Sequence, residues 1–191
     1  ICVGLDIVGC TTDSNIGIWN GIPYSTAFDE KEKRQNRKSI IMLMKHLEII
    51  KNKILNPDEL RSIMEVKQSE GKTFAFSNGC FDLVHQGHID YLSKSRDLAD
   101  YLVIGLNTDN SVRRLKGPRR PINDEYSRAL MLASFLFVDY VVMFDEDTPY
   151  NLIKTLQPDV LIKGSDYKVE DIVGYDIVTA RGGKVVTLDF I

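Results

Sequence analysis

The chain has 191 residues, 43% of them hydrophobic and 27% charged, and a formal net charge of −3. That is enough apolar material for one ordinary domain with a real core and an appendage, and the slight acidity argues against a surface built for nucleic acid or anionic membrane. No apolar run approaches the roughly 18 residues of a membrane span; the longest, Leu130–Val138, is far shorter.

Cys2, Cys10 and Cys80 form neither an even set nor a metal-ligand spacing, which fits a reducing compartment and hence a cytoplasmic protein. The chain opens on Ile1 with no basic segment leading an apolar one, so the secretory-signal pattern is missing. ICVGLDIV reads as a strand, and the stretch from Cys10 to Ser25 is turn-rich and loop-like. From Asp29 the chain is charge-dense, and Ile40, Leu43, Met44, Leu47, Ile50 and Ile54 then recur at helical spacing. This predicts a long amphipathic helix that packs either on the domain or on a second copy, giving a homodimer. Residues 1–55 are thus an appendage, and 56–191 the main domain. Asn56-Pro57-Asp58-Glu59 has a helix start written into it: Asn as cap, Pro at the first position, Glu three after the cap. Gly71 ends that helix.

From Thr73 the pattern changes. TFAFS, YLVIGL, YVVMF, VLIK and KVVTL read as buried strands, separated by helical stretches over His88–Leu98, Tyr126–Val138, Pro149–Leu156 and Val169–Arg181. Near-continuous apolar strands with helical crossovers predict a doubly wound, Rossmann-like α/β fold with a five-stranded parallel sheet. Ligands in such folds bind outside the carboxyl ends of the strands, where strand order reverses.

The first strand runs into Asn78-Gly79-Cys80-Phe81-Asp82, and two of the three histidines of the chain, His85 and His88, follow around Gly87. With Ile89 and Leu92 facing inward, the next helix starts near Gly87, so both imidazoles stand one turn apart at its N-terminal end. Free N–H groups and the helix dipole make that end an anion site. Gly79 permits a conformation closed to other residues, and Gly87 lets a bulky anion approach. Two imidazoles can donate to phosphate oxygens. Zinc is the rival reading, but a third ligand at matching spacing is missing, so no metal ligands are assigned. Cys80 lacks a base that would make it a nucleophile and serves as loop filler or backbone donor. Gly71-Lys72-Thr73 resembles the end of a P-loop but precedes a strand instead of following one.

Gly79-Cys80-Phe81-Asp82-Leu83-Val84-His85-Gln86-Gly87-His88 resembles the G-x-F-D-x-x-H-x-G-H signature of the cytidylyltransferase-like nucleotidyltransferases. The likeness continues through Asn107–Asp109, Ser111–Gly117, Arg119–Asn123, Val138–Asp139, Phe144–Pro149 and Lys163–Tyr167. Together these are similar to one subgroup, the D-glycero-D-manno-heptose 1-phosphate adenylyltransferases, over about residues 56–191. The resemblance implies that ATP and a sugar 1-phosphate are the substrates and ADP-heptose for lipopolysaccharide the product, with Mg²⁺ carried on the triphosphate by phosphates and water. It implies that His85 and His88 hold the ATP phosphates and stabilise the transition state. Lys116 joins them after the second strand, and Arg128 lies on the nucleotide from the start of the next helix. Cys80 and Phe81 border the nucleotide through the loop backbone. Lys163, Gly164, Ser165 and Asp166 line the nucleoside pocket, with Asn107 in the nucleotide-binding set and Asp82 and Asp109 as polar organisers. Leu136 stands where many relatives have Arg. The family pattern also has a Ser/Thr-rich turn and a helix after the last strand, which are not among the 191 residues. Bifunctional relatives add a sugar kinase, for which the seventy-odd residues before Lys72 are too few.

The basic run Arg113, Arg114, Lys116, Arg119, Arg120 reads as an anion funnel, since it follows a strand on the site side of the sheet. Its rival is a solvated loop. Two other functions compete: a nucleotidyltransferase for glycerol phosphate or a cofactor precursor, and a nucleotide-binding module without turnover.

Overall fold

Chains rich in Val, Ile, Leu and Phe at consecutive positions bury both faces of each strand, and that constraint shapes this molecule. The computed structural model describes the backbone at 16–19 and 22–25, and residues 45–165 and 168–189. The chain divides into two compact units, Ile1–His46 and Leu47–Ile191.

In the first unit, β1 (Ile16–Trp19) pairs antiparallel with β2 (Ile22–Ser25). This overturns the loop expected there. The sequence between the strands is Asn20-Gly21, the pair that most favours a two-residue hairpin turn. The strand expected at the start of the chain, and most of the long helix with any packing on a second copy, lie outside the described residues.

In the second unit a six-stranded parallel sheet runs in the order β3-β6-β5-β4-β7-β8. Its strands are β3 (Ile54–Leu55), β4 (Phe74–Gly79), β5 (Tyr101–Asn107), β6 (Tyr140–Phe144), β7 (Val160–Gly164) and β8 (Lys184–Leu188). Five are those the apolar runs predict. The sixth, β3, replaces the expected end of the long helix. Residues 45–51 are helical, but Ile54 pairs with Val141 and Leu55 with Val142. The Lys53 carbonyl accepts from Val141 N–H at 2.8 Å, and Lys53 Nζ reaches the Phe135 and Val138 carbonyls. An unpaired sheet edge captures a short segment that local periodicity alone assigns to a helix.

Helix α1 (Pro57–Ser69) starts as predicted: Asn56 Oδ1 accepts from Glu59 N–H at 2.9 Å, and Glu59 returns a bond from Asn56 N–H. Gly71, at φ +80°, follows its end. Next come α2 (Gln86–Arg96), α3 (Asp109–Lys116), α4 (Glu125–Ala133), α5 (Tyr150–Leu156) and α6 (Tyr175–Ala180). Helix α3 lies where no helix was predicted between the second strand and Tyr126; Thr108 caps it by accepting from Ser111 N–H. The expected helix over Val169–Arg181 is broken into a 3₁₀ turn (Val169–Asp171) and α6, with Gly174 at φ +92° between them.

Strand alternation sorts the core into two layers. Ala75, Leu102, Ile104, Val141 and Ile162 point to the side of α2 and α4. Phe74, Phe76, Val103, Val142 and Leu161 point to the side of α1, α5 and α6. Gly105 lies between Val103 and Asn107 on the second face. A Cβ there would stand 2.7 Å from the Phe76 ring, 3.1 Å from Asn78 Cβ and 3.2 Å from Leu152. Gly105→Ala should therefore destabilise the domain by about 1–3 kcal/mol through overpacking. A denaturant midpoint unchanged from the parent would disprove this.

Candidate functional site

The strand order reverses at β4: the chain moves from β4 to β5 and β6 on one side, then crosses to β7 on the other. β4 and β7 pair only at Ala75↔Val160 and Phe76↔Leu161, although the strands run on to Gly79 and Gly164. They part at the carboxyl edge, and the motif residues gather around that opening.

On the α2 side, the loop after β4 turns at Phe81, a non-glycine residue at φ +42°. Its ring is buried and lies 5.4 Å from that of His88. His85 caps α2, its Nδ1 accepting from Gly87 N–H at 3.2 Å, so the neutral ring carries its proton on Nε2. The His85 and His88 rings are 4.1 Å apart. The two imidazoles thus meet at a helix N-terminus, as their spacing predicts. Burial first, then the neighbouring His85 and Lys116 charges, hold the His88 imidazole below its ordinary pKa. Its Nδ1 is buried without a hydrogen-bond partner among the described residues. Burial pushes the Cys80 thiol up, against the pull of Lys116 and Arg128; a protonated thiol is a poor nucleophile.

Asp82 ties this loop to the next. It accepts from Arg120 Nη1 and Ile122 N–H, each at 2.6 Å, and from Asn123 N–H at 3.3 Å. Burial raises the Asp82 pKa, but the Arg120 guanidinium and the two N–H donors outweigh it and hold the carboxyl below the usual range.

Arg128, expected on the nucleotide, is instead fully buried beneath the site. It donates to the carbonyls of Cys80 (2.6 Å), Asn107 (2.9 Å) and Asn123 (3.0 Å), and pairs with Asp109 at 2.8 Å. The physical reason is saturation: four protein acceptors surround a side chain that has no open surface. Arg128 is a positioning residue, and Asp109, which also lies 3.8 Å from Arg113, anchors it.

The basic run begins on helix α3, which carries Arg113, Arg114 and Lys116, and continues into the turn that holds Arg119 and Arg120. Arg113 bonds Asn110, Arg114 pairs with Asp147 at 2.7 Å and reaches the Asp145 carbonyl, and Arg120 is on Asp82. Lys116 and Arg119 are exposed and pair with no carboxylate among the described residues. Lys116 ends α3, and its charge reaches both His88 and Cys80.

Across the sheet, on the α5 side, Asn78, Asn107 and Lys163 share one face at the ends of β4, β5 and β7 and line a cavity of about 260 Å³. Lys163 Nζ donates to the Asn78 carbonyl at 3.3 Å. Asn107 Nδ2 bonds Ser111 Oγ, and Cys80 Sγ lies 3.9 Å from Asn107 Oδ1. Leu115, Asp147 and Asp171 complete the walls. Gly164 is buried, Ser165 is exposed with its N–H on the Leu188 carbonyl, and Asp166 lies outside the described residues. The role of Asn78, Asp147 and Asp171 was not read from the sequence. Period-2 alternation puts Asn78 on the face of Phe76, but only strand register shows that Asn107 and Lys163 join it.

Among the described residues no group of three or more His, Cys, Asp and Glu converges to hold a metal ion, and no helix is long and apolar enough to cross a membrane.

The chain resembles known proteins over this same region. The Bifunctional protein HldE of Syntrophotalea carbinolica is 54% identical over 140 residues, which is 73% of this chain and 29% of that protein. HldE of Campylobacter jejuni subsp. jejuni is 55% identical over 138 residues, 72% of this chain and 28% of that one. The chain therefore spans under a third of the length of these curated relatives. Among solved structures, the lipopolysaccharide core biosynthesis protein from Thermoplasma volcanium is 29% identical with a TM-score of 0.55; the match covers 63% of this chain and 99% of that one. The cytidylyltransferase-like family profile matches residues 76–185, the whole span from β4 into β8 that builds the crevice, and the chain belongs to that family.

Proposed function

We propose that the chain is an adenylyltransferase that joins ATP to D-glycero-D-manno-heptose 1-phosphate, giving ADP-heptose and pyrophosphate for lipopolysaccharide core synthesis in the cytoplasm. The observation that carries the reading is the His85–His88 pair at the N-terminus of α2, its rings 4.1 Å apart. The family match and the identity to HldE proteins support it.

In this reaction an oxygen of the sugar phosphate attacks the α-phosphorus of ATP. The new O–P bond forms as the bond from the α-phosphorus to the bridging oxygen breaks, and pyrophosphate leaves with the electron pair. The attacking phosphate is already anionic, so no base is required. The enzyme has to align the two phosphates and neutralise the charge that builds on the leaving group. In this reading the His85 Nε2–H, the His88 ring and the free N–H groups of the first turn of α2 supply donors. Lys116 supplies a compact mobile cation. Magnesium belongs to this proposal as part of the nucleotide, carried by phosphates and water, where it would screen the triphosphate charge.

Removal of one such donor typically costs about 3 kcal/mol of transition-state stabilisation. His85→Ala and His88→Ala should each lower turnover by two or more orders of magnitude; the unfolding midpoint should stay near that of the parent in His88→Ala, whereas His85→Ala also gives up the α2 cap, worth about 1 kcal/mol. Stoichiometric zinc in the purified protein, lost with either substitution, would refute the phosphate role.

Lys116 differs from Arg113, Arg114 and Arg120 in pairing with no carboxylate among the described residues, and from Arg119 in that its charge acts on His88, so the five single alanine variants of the run should not behave alike. Lys116→Ala should lower kcat far more than it weakens ATP binding. Arg119→Ala should have a mild effect that fades with salt. Pyrophosphate-release kinetics at low and high salt provide the comparison, and five equal small losses would end the specific role.

The Lys116 charge also lowers the His88 pKa. In Lys116→Ala the His88 imidazole should titrate at higher pH than in the parent, as followed by proton NMR of its ring C–H. An unmoved titration would mean that the ammonium does not approach the histidines.

A further inference from the structure

The cavity at the ends of β4, β5 and β7 is on the opposite face of the sheet from the histidines. Asn78, Asn107 and Lys163 form its floor on the α5 side, whereas Phe81 and α2 pack on the other layer. Lys116 and Leu115 stand at the end of α3 between them. Leu115 lines the cavity, and the Lys116 charge acts on His88.

Size and charge both limit what can enter. About 260 Å³ is below the roughly 300–1,000 Å³ of pockets that enclose drug-sized ligands, so a nucleoside triphosphate does not fit whole. Two walls carry carboxylates, Asp147 and Asp171, which accept hydrogen bonds from hydroxyl donors. Arg114 Nε donates to Asp147 Oδ1 at 2.7 Å and sets its orientation, with Oδ2 left for another donor. Asn78 Oδ1 is a third acceptor, buried and without a partner among the described residues; such a group is costly unless a donor reaches it. Leu115, Pro149 and Ile172 add apolar surface. Several acceptors, an apolar wall and a lysine at one side match a small polyhydroxylated molecule with a phosphate at one end.

Resting on the adenylyltransferase reading above, we infer that Asn78, Asp147 and Asp171 select the acceptor: they hold the hydroxyl-bearing body of the sugar 1-phosphate on the α5 face. Its phosphate points past Lys163 and Lys116 toward the nucleotide phosphates at His85 and His88. The two substrates thus approach from opposite faces and meet at the carboxyl end of β4. Arg114 is a positioning residue for Asp147.

The test is steady-state pyrophosphate release by the parent, Asp147→Asn, Asp171→Asn, Asn78→Ala and Arg114→Gln, with heptose 1-phosphate, mannose 1-phosphate, singly deoxygenated mannose 1-phosphates and glycerol 3-phosphate as acceptors. Titration calorimetry reads ATP affinity in parallel. Loss of one hydrogen bond to a charged acceptor should raise the acceptor KM about tenfold, while the ATP dissociation constant stays within about twofold. At least one deoxygenated analogue should be a poor acceptor for the parent but cost an aspartate variant nothing further, the mark of a direct contact and not of a distorted fold. Weakened ATP binding with unchanged acceptor KM would hand the cavity to the nucleotide and overturn the inference while leaving the activity intact. So would a parent that prefers glycerol 3-phosphate, or variants that lose only kcat. A parent that binds ATP yet releases no pyrophosphate with any acceptor would overturn the adenylyltransferase reading itself, and this assignment with it.

Discussion

A fully buried guanidinium organises the reactive edge of this protein. Arg128 reaches the loop after β4 through the Cys80 carbonyl, the end of β5 through the Asn107 carbonyl and the start of α3 through Asp109. A charge with no solvent exposure is tolerable only when its donors are satisfied; removing one partner of such a pair typically costs about 3–5 kcal/mol. Four acceptors provide that satisfaction, and the cost of leaving any of them is what keeps the loops in register. Asp82 does the same one layer out, binding the 120–123 segment to the α2 loop.

On that frame the site is divided by polarity. The α2 side offers helix N–H groups, two imidazoles and Lys116, all suited to phosphate. The α5 side offers carboxylates and amides, suited to hydroxyl groups. The two faces of one strand end thus differ in the groups they offer, with Lys163 the cation among the carboxylates and amides of the α5 side. Helix α3 spans both, since Leu115 and Lys116 are neighbours in the chain and face different halves. Its Arg114, held by Asp147 and the Asp145 carbonyl, fixes that span.

Much of this was legible without coordinates. Five apolar runs announce five parallel strands because a sheet covered on both faces has no polar side to show. Asn56-Pro57-Asp58-Glu59 announces a helix start because the cap is a local hydrogen-bond exchange. His85, Gly87 and His88 announce two imidazoles together at a helix start because all three lie within one helical turn. The misses share a cause as well. Ile54-Leu55 has helical spacing with the residues before it, yet pairs with β6, whose edge is remote in sequence. Helix α3 has little apolar signal of its own, with only Val112 and Leu115 on its face, and is stabilised by the Thr108 cap and by packing. The pairing of β1 with β2 has its signal in Asn20-Gly21, which the surrounding turn-forming residues obscure.

Sequence by itself therefore determined the fold class, the five buried strands of the parallel sheet and the identity of the paired histidines, since alternation, capping and helix-end chemistry are short-range properties. Tertiary structure alone decided which charges remain available. Arg113, Arg114, Lys116, Arg119 and Arg120 are equivalent as letters; distant carboxylates such as Asp82, Asp145 and Asp147 engage Arg114 and Arg120 and leave Lys116 and Arg119 without one among the described residues. It likewise decided that Arg128 is buried and that Asn78, Asn107 and Lys163 form one floor. Partnership and shared faces between distant segments depend on strand register and loop closure, which no local pattern encodes.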